Sequence, residues 1–234
     1  MKIRSSEKEK LDDCNFGGEA LHQALQSLEW INKWLGNRRS VIKAIHRIYK
    51  KEAKPLRIID LGCGGGDMAL AIARSMRRHK IRCRITGIDG NAHTLIYAQK
   101  KTRGFPEIDF LLEDIMDPAF SIQPCDILIS SHFIYHFNDE ALVQFLNKNL
   151  PDVSTAVILS ELKRSRFALF LFKYGRFLLP ISKLAKADGI LAIKRSLTEK
   201  EWLSILKQSG IGSYRIECVP FFRILLTLFT IRKT

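Results

Sequence analysis

The residues with the clearest capacity for chemistry stand together at 60–67, as Asp60-Leu61-Gly62-Cys63-Gly64-Gly65-Gly66-Asp67. Glycines at 62, 64 and 66 let the chain turn sharply and let a ligand approach the backbone with no Cβ in the way. A helix opening behind them would turn its unpaired first N–H groups toward the same ligand. The pattern predicts a nucleotide-like cofactor. It is not a P-loop, because no Gly-Lys-Ser/Thr follows. Gly64-Gly65-Gly66-Asp67-Met68-Ala69 matches the dinucleotide pattern G-x-G-x-x-G/A literally. That frame begins late, however, and it sets Asp67 where a pyrophosphate would sit, so like charges would repel. A ligand bearing an amine tolerates Asp60, and one without a pyrophosphate tolerates Asp67.

A second stretch, Ser130-Ser131-His132-Phe133-Ile134-Tyr135-His136-Phe137, offers two imidazoles. Imidazole titrates near neutrality, so His132 or His136 could take a proton from a phenol, enol or amine. If the turn is helical, four-residue spacing puts both on one side. The alternative is a structural histidine or a helix cap. The five cysteines, 14, 63, 83, 125 and 218, are scattered and odd in number. Neither a disulfide framework nor a metal site is expected from them, and a reducing, cytoplasmic setting fits.

These residues need elements to position them. Residues 1–18 are polar and read as a loose arm. Leu21, Leu25, Leu28, Ile31 and Leu35 recur at helical spacing, and Val41, Ile42, Ile45 and Ile48 mark a second helix closed by Pro55. From Leu56 the texture alternates between short apolar strands and helices. Strands are expected at 56–61, 82–88, 108–112, 125–130 and 155–160. Helices are expected at 68–76, 92–101 and 140–147. Such alternation implies βαβ units and a parallel sheet covered on both faces. Residues 163–196 break the pattern and read as an insertion. Thr198 with Glu201 three residues on is a capping box opening a helix over 198–209, which Gly210 stops. Strands at 214–219 and 223–231 follow.

With the motifs placed at strand ends, the chain resembles the class I S-adenosylmethionine (SAM)-dependent methyltransferases. Asp60 to Asp67 is similar to their first motif, Asp/Glu-x-Gly-x-Gly-x-Gly. Asp89 closes the second strand, Glu113-Asp114-Ile115 follows the third, and Cys125-Asp126-Ile127-Leu128 resembles the fourth-strand motif. The resemblance implies a Rossmann-like, doubly wound α/β fold with a seven-stranded, mostly parallel sheet whose last strand is antiparallel. It implies SAM as cofactor, with S-adenosylhomocysteine as product. It also implies a cofactor site built from Asp60, Gly62, Cys63, Gly64, Asp67, Asp89, Gly90, Asn91, Asp114, Ile115 and Ser131, with Glu113 and Asp117 as competitors for the role of Asp114. The expected organisation is a single domain: a helical cap (1–54), a cofactor-binding core (55–161), a lid insertion (162–197) and a closing helix with two strands (198–234).

Asn32-x-x-Leu35-Gly36, Ser131-His132-x-x-x-His136-Phe137 and Asp188-Gly189…Lys194-Arg195-Ser196-Leu197-Thr198 resemble a small-molecule branch that includes quinone and polyketide methyltransferases. That likeness implies O- or C-methylation of an apolar or aromatic acceptor under a lid. Trp30, Trp34, Phe167, Phe170 and Tyr174 either line that acceptor pocket or pack only on each other.

Two alternatives stay open, an RNA or protein methyltransferase and a non-catalytic SAM-binding protein. Against the first, the Asn/Asp-Pro-Pro-Tyr/Phe tetrapeptide is absent after the fourth strand. The formal charge of +14 fits nucleic acid or an anionic membrane. Because the basic residues are spread out, nucleic acid is not the expected partner. Phe167-Ala168-Leu169-Phe170-Leu171-Phe172, among Lys163, Arg164, Arg166, Lys173 and Arg176, reads as membrane-facing. The opening residues are charged and no run reaches a membrane span, so neither a signal peptide nor a spanning helix is expected.

Overall fold

Seven strands assemble into one sheet in the order β3-β2-β1-β4-β5-β7-β6. The computed structural model describes residues 4–50 and 53–230. Two helices, α1 (Gly18–Trp34) and α2 (Asn37–Ile48), precede β1 (Leu56–Leu61). Then come α3 (Asp67–Arg78), β2 (Cys83–Asp89), α4 (Ala92–Thr102), β3 (Ile108–Leu112), β4 (Cys125–Ser131), α5 (Asp139–Asn149) and β5 (Val153–Leu162). The insertion forms α6 (Arg166–Gly175) and α7 (Lys183–Arg195), and α8 (Glu199–Gln208), β6 (Tyr214–Val219) and β7 (Arg223–Phe229) close the fold. β1 to β5 pair in parallel, while β7 runs antiparallel to both β5 and β6. Expected strands match at β1, β3 and β6. The last ends at Phe229, and its expected terminus Ile231 lies outside the described residues.

Alternation along each strand splits the apolar side chains between two layers. Ile59, Leu61, Leu128, Val157 and Leu226 pack with Leu142 and Leu146 of α5 and with Trp202 and Ile205 of α8. Ile58, Ile127, Ile129, Ile158 and Leu225 pack with Val41 and Ile45 of α2 and with Ile72 and Met76 of α3. Burying a side chain such as Ile58 or Ile72 contributes about 1.5–3 kcal/mol. Both faces are therefore covered, which is why the strands read as near-continuous apolar runs. The α8 capping box forms as expected: Thr198 Oγ1 accepts from Glu201 N, and Glu201 Oε2 accepts from Thr198 N at 2.7 Å.

The strand order decides where a ligand can sit. The chain winds outward from β1 through β2 to β3, then returns to β4 on the other side of β1. A crevice opens at that reversal, at the carboxyl ends of the strands. The glycine turn after β1 and the histidine-bearing turn after β4 face each other across it.

The expectation of a loose arm is corrected. Arg4 donates to the carbonyls of Arg195, Tyr135 and Phe137 and to Asp139. Lys10 N and Leu11 N donate to the Asp188 carboxylate, and Asn91 Nδ2 donates to Asp13 O and Phe16 O. A polar segment with no helical or strand periodicity is thus tied down by the Arg4 side chain and by its own backbone, to partners far away in sequence.

Candidate active site

One cavity of about 740 Å³ occupies the crevice. Its floor is the glycine turn, and its sides are the ends of β2 and β4 with residues 114–116. Its roof is the arm, the apolar side of α1 (Leu21, Leu25, Leu28, Ile31) and the inner side of α6 and α7 (Ala168, Leu171, Phe172, Ala192, Ile193). All eleven residues expected to hold a cofactor line it, as do His132 and His136.

Gly62 shows why this turn needs glycine. Its φ is +63°, and a methyl added there would lie 2.6 Å from Cδ2 and 2.7 Å from Cβ of Phe133. The first helical turn of α3 follows at once, with Gly66 as N-cap at φ +69°. Asp89 braces the turn: its Oδ2 accepts from Gly64 N at 2.9 Å and its Oδ1 from Asn91 N at 3.0 Å. A carboxylate has about four acceptor sites, so Asp89 keeps capacity for further donors. Asn91 is itself engaged, capping α4 and holding the arm.

Three carboxylates gather at this end. Asp60 is buried, its Oδ2 has no partner, and burial followed by the charges of Asp67 and Asp89 pushes its pKa well up. Asp67 is held by Arg38 at 2.9 Å and by Asn32 Nδ2 at 3.2 Å. Burial also raises the Cys63 thiol, so it is no nucleophile. Asp114 is exposed and accepts from Met116 N, leaving the 114–116 backbone along the cavity wall.

The turn after β4 is not helical across 132–136. His132 has φ +57°, and a short 3₁₀ turn follows at Ile134–His136. A non-glycine residue in that region costs about 1–3 kcal/mol and persists only where the surroundings over-determine it. They do: His132 N donates to Ser160 O, while Phe133 N and Ile134 N both donate to Glu161 Oε1, at 3.2 and 3.1 Å. Burial, then the charge of Arg223, pulls the His132 pKa well below its usual range. Arg223 Nε donates to His132 Nε2 at 3.3 Å, so the neutral ring carries its proton on Nδ1. His136 differs. Its Nδ1 lies 3.3 Å from Asp12 Oδ1, which orients the ring and leaves Nε2 available as acceptor.

Asp12 belongs to the arm, and sequence reasoning missed it. Burial would raise its pKa, but His136 and Arg195 together hold it down at about 2. Arg195 donates to Asp12 at 2.7 Å and to Glu9 at 3.3 Å. Glu9, Asp12 and His136 converge closely enough to hold a metal ion, but the Arg195 guanidinium already supplies the positive charge there. Asn37 was also missed. It is fully buried, donates to Ser131 Oγ at 2.7 Å and accepts from Ser160 Oγ at 2.6 Å, tying the helical cap to β4 and β5.

The lid aromatics do not line the cavity, and they pack on each other and on Phe222 rather than only on each other. Trp34, Phe167, Phe170 and Tyr174 are exposed, and neither they nor Trp30 line the cavity. Trp30 packs on Trp34 and Phe170 on Tyr174, with ring centroids 6.4 and 4.8 Å apart.

The profile of a methyltransferase-domain family matches residues 58–150, the segment that carries the glycine turn, Asp89, Asp114 and both histidines. That segment resembles a methyltransferase domain and spans about two fifths of the chain. Among solved structures, the magnesium protoporphyrin IX methyltransferase of Synechocystis shares 16% identity over 92% of this chain and 90% of its own, with a TM-score of 0.57. The plantazolicin methyltransferase shares 18% over 91% of this chain and 96% of its own, with a TM-score of 0.61. Human N-acetylserotonin methyltransferase also shares 18% over 91% of this chain, but over 56% of its own length, with a TM-score of 0.61. The chain spans about half the length of several other similar structures. At these identities the likeness is one of fold. No curated protein matches the sequence.

Methyltransferases of this class take their methyl group from SAM, and the residues present fit that cofactor. SAM carries a sulfonium and an ammonium, and the cavity offers three carboxylates, one with an unpartnered buried oxygen. Leaving such an oxygen unpaired costs about 1–3 kcal/mol or more, which a cationic ligand would recover.

Proposed function

We propose that this protein transfers a methyl group from SAM to oxygen or carbon of a small, apolar or aromatic acceptor that loses a proton in the reaction. The observation that carries the reading is the continuity of the cavity. The same space is lined by the carboxylates of Asp60, Asp67 and Asp89 and by the aliphatic side chains of α1, α6 and α7. A charged cofactor and an apolar acceptor each find matching walls in one space.

Asp60 and Asp67 would face the cationic portion of the cofactor, and Asp89 its ribose hydroxyls. The backbone of Gly62, Cys63 and Gly64 would lie alongside, with Gly90, Asn91, Asp114 and Ile115 framing the adenine end and Ser131 closing the β4 side. When bound, SAM supplies a methyl on a positively charged sulfur, ready for in-line displacement. The protein aligns the acceptor and excludes water. His136 accepts the acceptor's proton at Nε2, with Asp12 as the positioning residue at Nδ1. His132, whose Nε2 is taken by Arg223, serves as a donor that orients the acceptor. The resemblance to quinone and polyketide methyltransferases and the small-molecule enzymes named above support the acceptor class.

The test is methyl transfer from labelled SAM to a panel of phenolic and enolic acceptors. His136→Ala lowers kcat by about 10²–10⁴, with the KM for SAM unchanged. Asp12→Asn lowers kcat less and alters the pH profile. Labelling of RNA or protein with none of the small acceptors sinks the reading.

A further inference from the structure

We propose that the outer face of the lid docks on an anionic lipid bilayer, and that the cavity opens toward that bilayer. Helix α6 has two faces. The inner one buries Ala168 and lines the cavity with Leu171 and Phe172. The outer one exposes Phe167, Phe170 and Tyr174, whose spacing of three and four residues places them on one side of the helix. The turn after it exposes Phe177 (70%) and Leu178 (88%). The β6–β7 turn adds Phe221 and Phe222, both exposed and both at positive φ, and Phe222 meets Phe167 edge-on at 5.7 Å. Single exposed apolar residues are ordinary, but a contiguous tip built from two separate elements marks an interaction site.

Charge selects the occupant. From 162 to 187 the chain carries seven Lys and Arg and no Asp or Glu; Lys163 and Arg164 pair with Glu199 and Glu201, which leaves Arg166, Lys173, Arg176, Lys183 and Lys186 as the basic residues of the lid helices and their turn. The acidic residues bounding this segment, Glu161 and Asp188, are both buried. A second copy of the chain would bring the same positive charge against it. An anionic headgroup layer is complementary to it, while the aromatic rings enter the interface below. Among the described residues no helix is long and apolar enough to cross a membrane, so the contact is peripheral.

The cavity meets this tip. Leu171, Arg176, Leu179, Phe221 and Phe222 belong to its wall, and Arg176, Phe221 and Phe222 are among the tip's aromatic and basic residues. A lipophilic acceptor dissolved in the bilayer would enter there without crossing water; this second part rests on the acceptor class proposed above.

The experiment is flotation of the full chain with phosphatidylcholine vesicles, with and without phosphatidylglycerol, beside calorimetric titration with S-adenosylhomocysteine. Binding to the anionic vesicles is expected to exceed that to neutral ones by about tenfold or more and to weaken with salt. The triple variant Phe167→Ser, Phe170→Ser, Phe177→Ser changes only exposed side chains outside the cavity wall. It is expected to lose about tenfold or more of vesicle binding while keeping its affinity for S-adenosylhomocysteine. Equal or absent binding to the two vesicle types overturns the proposal, as does a triple variant that binds like wild type. A wild-type dimer that the triple variant turns into a monomer assigns the face to self-association and also overturns it. Retained S-adenosylhomocysteine binding without vesicle binding removes the docking surface and leaves methyl transfer standing, and the reverse result separates the two the other way.

Discussion

Adding one methyl at Gly62 and one at Gly64 should have opposite consequences. Both glycines have positive φ, +63° and +51°, so alanine at either costs about 1–2 kcal/mol of backbone strain. At Gly64 nothing lies within 4 Å of the new methyl. At Gly62 it meets the Phe133 side chain at 2.6–2.7 Å, far inside contact distance. Phe133 cannot simply withdraw, because it packs against His136 and Phe137 with centroids 5.4 and 6.1 Å away, and its N–H is fixed by Glu161. Overpacking of this kind costs about 1–3 kcal/mol. Gly62→Ala should therefore destabilise the protein by about 2–5 kcal/mol, as the sum of strain and overpacking. Gly64→Ala should lose only the strain, but it fills the space a cofactor needs. Denaturant melts of the two variants, with Phe133→Ala alone and combined with Gly62→Ala, make a double-mutant cycle. Phe133→Ala should recover the overpacking part, about 1–3 kcal/mol, and titrations should show the larger loss of S-adenosylhomocysteine affinity in Gly64→Ala. If Gly62→Ala is no less stable than Gly64→Ala, or Phe133→Ala gives no recovery, the coupling between the two turns is refuted.

Asp60→Asn should weaken SAM by about tenfold or more while leaving the apo melting temperature unchanged or raised, because it removes a buried carboxyl group whose ionisation Asp67 and Asp89 oppose and whose Oδ2 has no partner; a lower apo melting temperature would argue that Asp60 is structural. Burial pushes Glu161 from 4.5 up to about 8. With the folded value the higher, its contribution to stability is complete below about pH 4.5 and is lost as pH rises to about 8, by ~5 kcal/mol at the upper limit. Glu161→Gln should flatten that part of the stability–pH curve, and an unchanged slope would contradict the burial argument. Arg4→Ala removes four hydrogen bonds from the arm. It should speed hydrogen exchange of the 5–16 amides by an amount equivalent to about 2 kcal/mol, and unaltered protection there would show that the other tethers suffice.

The strand ends were readable because strands buried on both faces are almost wholly apolar and stop at polar or glycine residues. β1 begins and ends where its apolar run does and buries its last four residues, while β3, at the sheet edge, keeps the bounds of its run although three of its five residues are exposed. Motifs confined to those ends, such as Asp60–Asp67 and Asp89, could be placed for the same reason, and they do meet in one cavity. The arm was not readable. Glu9 and Asp12 look like ordinary solvated acids, and the arginine that explains them, Arg195, is 183 or more residues away. The phase of α6 was equally hidden. Phe167 to Phe172 are apolar at every position, so periodicity gives no inner face and left open whether Phe167 and Phe170 stand inside or outside; they stand outside. Asn37 showed no signal beyond its place after Gly36, because its value lies in Ser131 and Ser160, partners on β4 and β5 far away in sequence.

Calorimetric titration of the purified protein with SAM, S-adenosylhomocysteine and NAD tests the central claim most directly. SAM and S-adenosylhomocysteine are each expected to bind at one site, Asp60→Asn to weaken SAM, and NAD not to bind. Absence of binding by both sulfur ligands, or binding of NAD in their place, would contradict it.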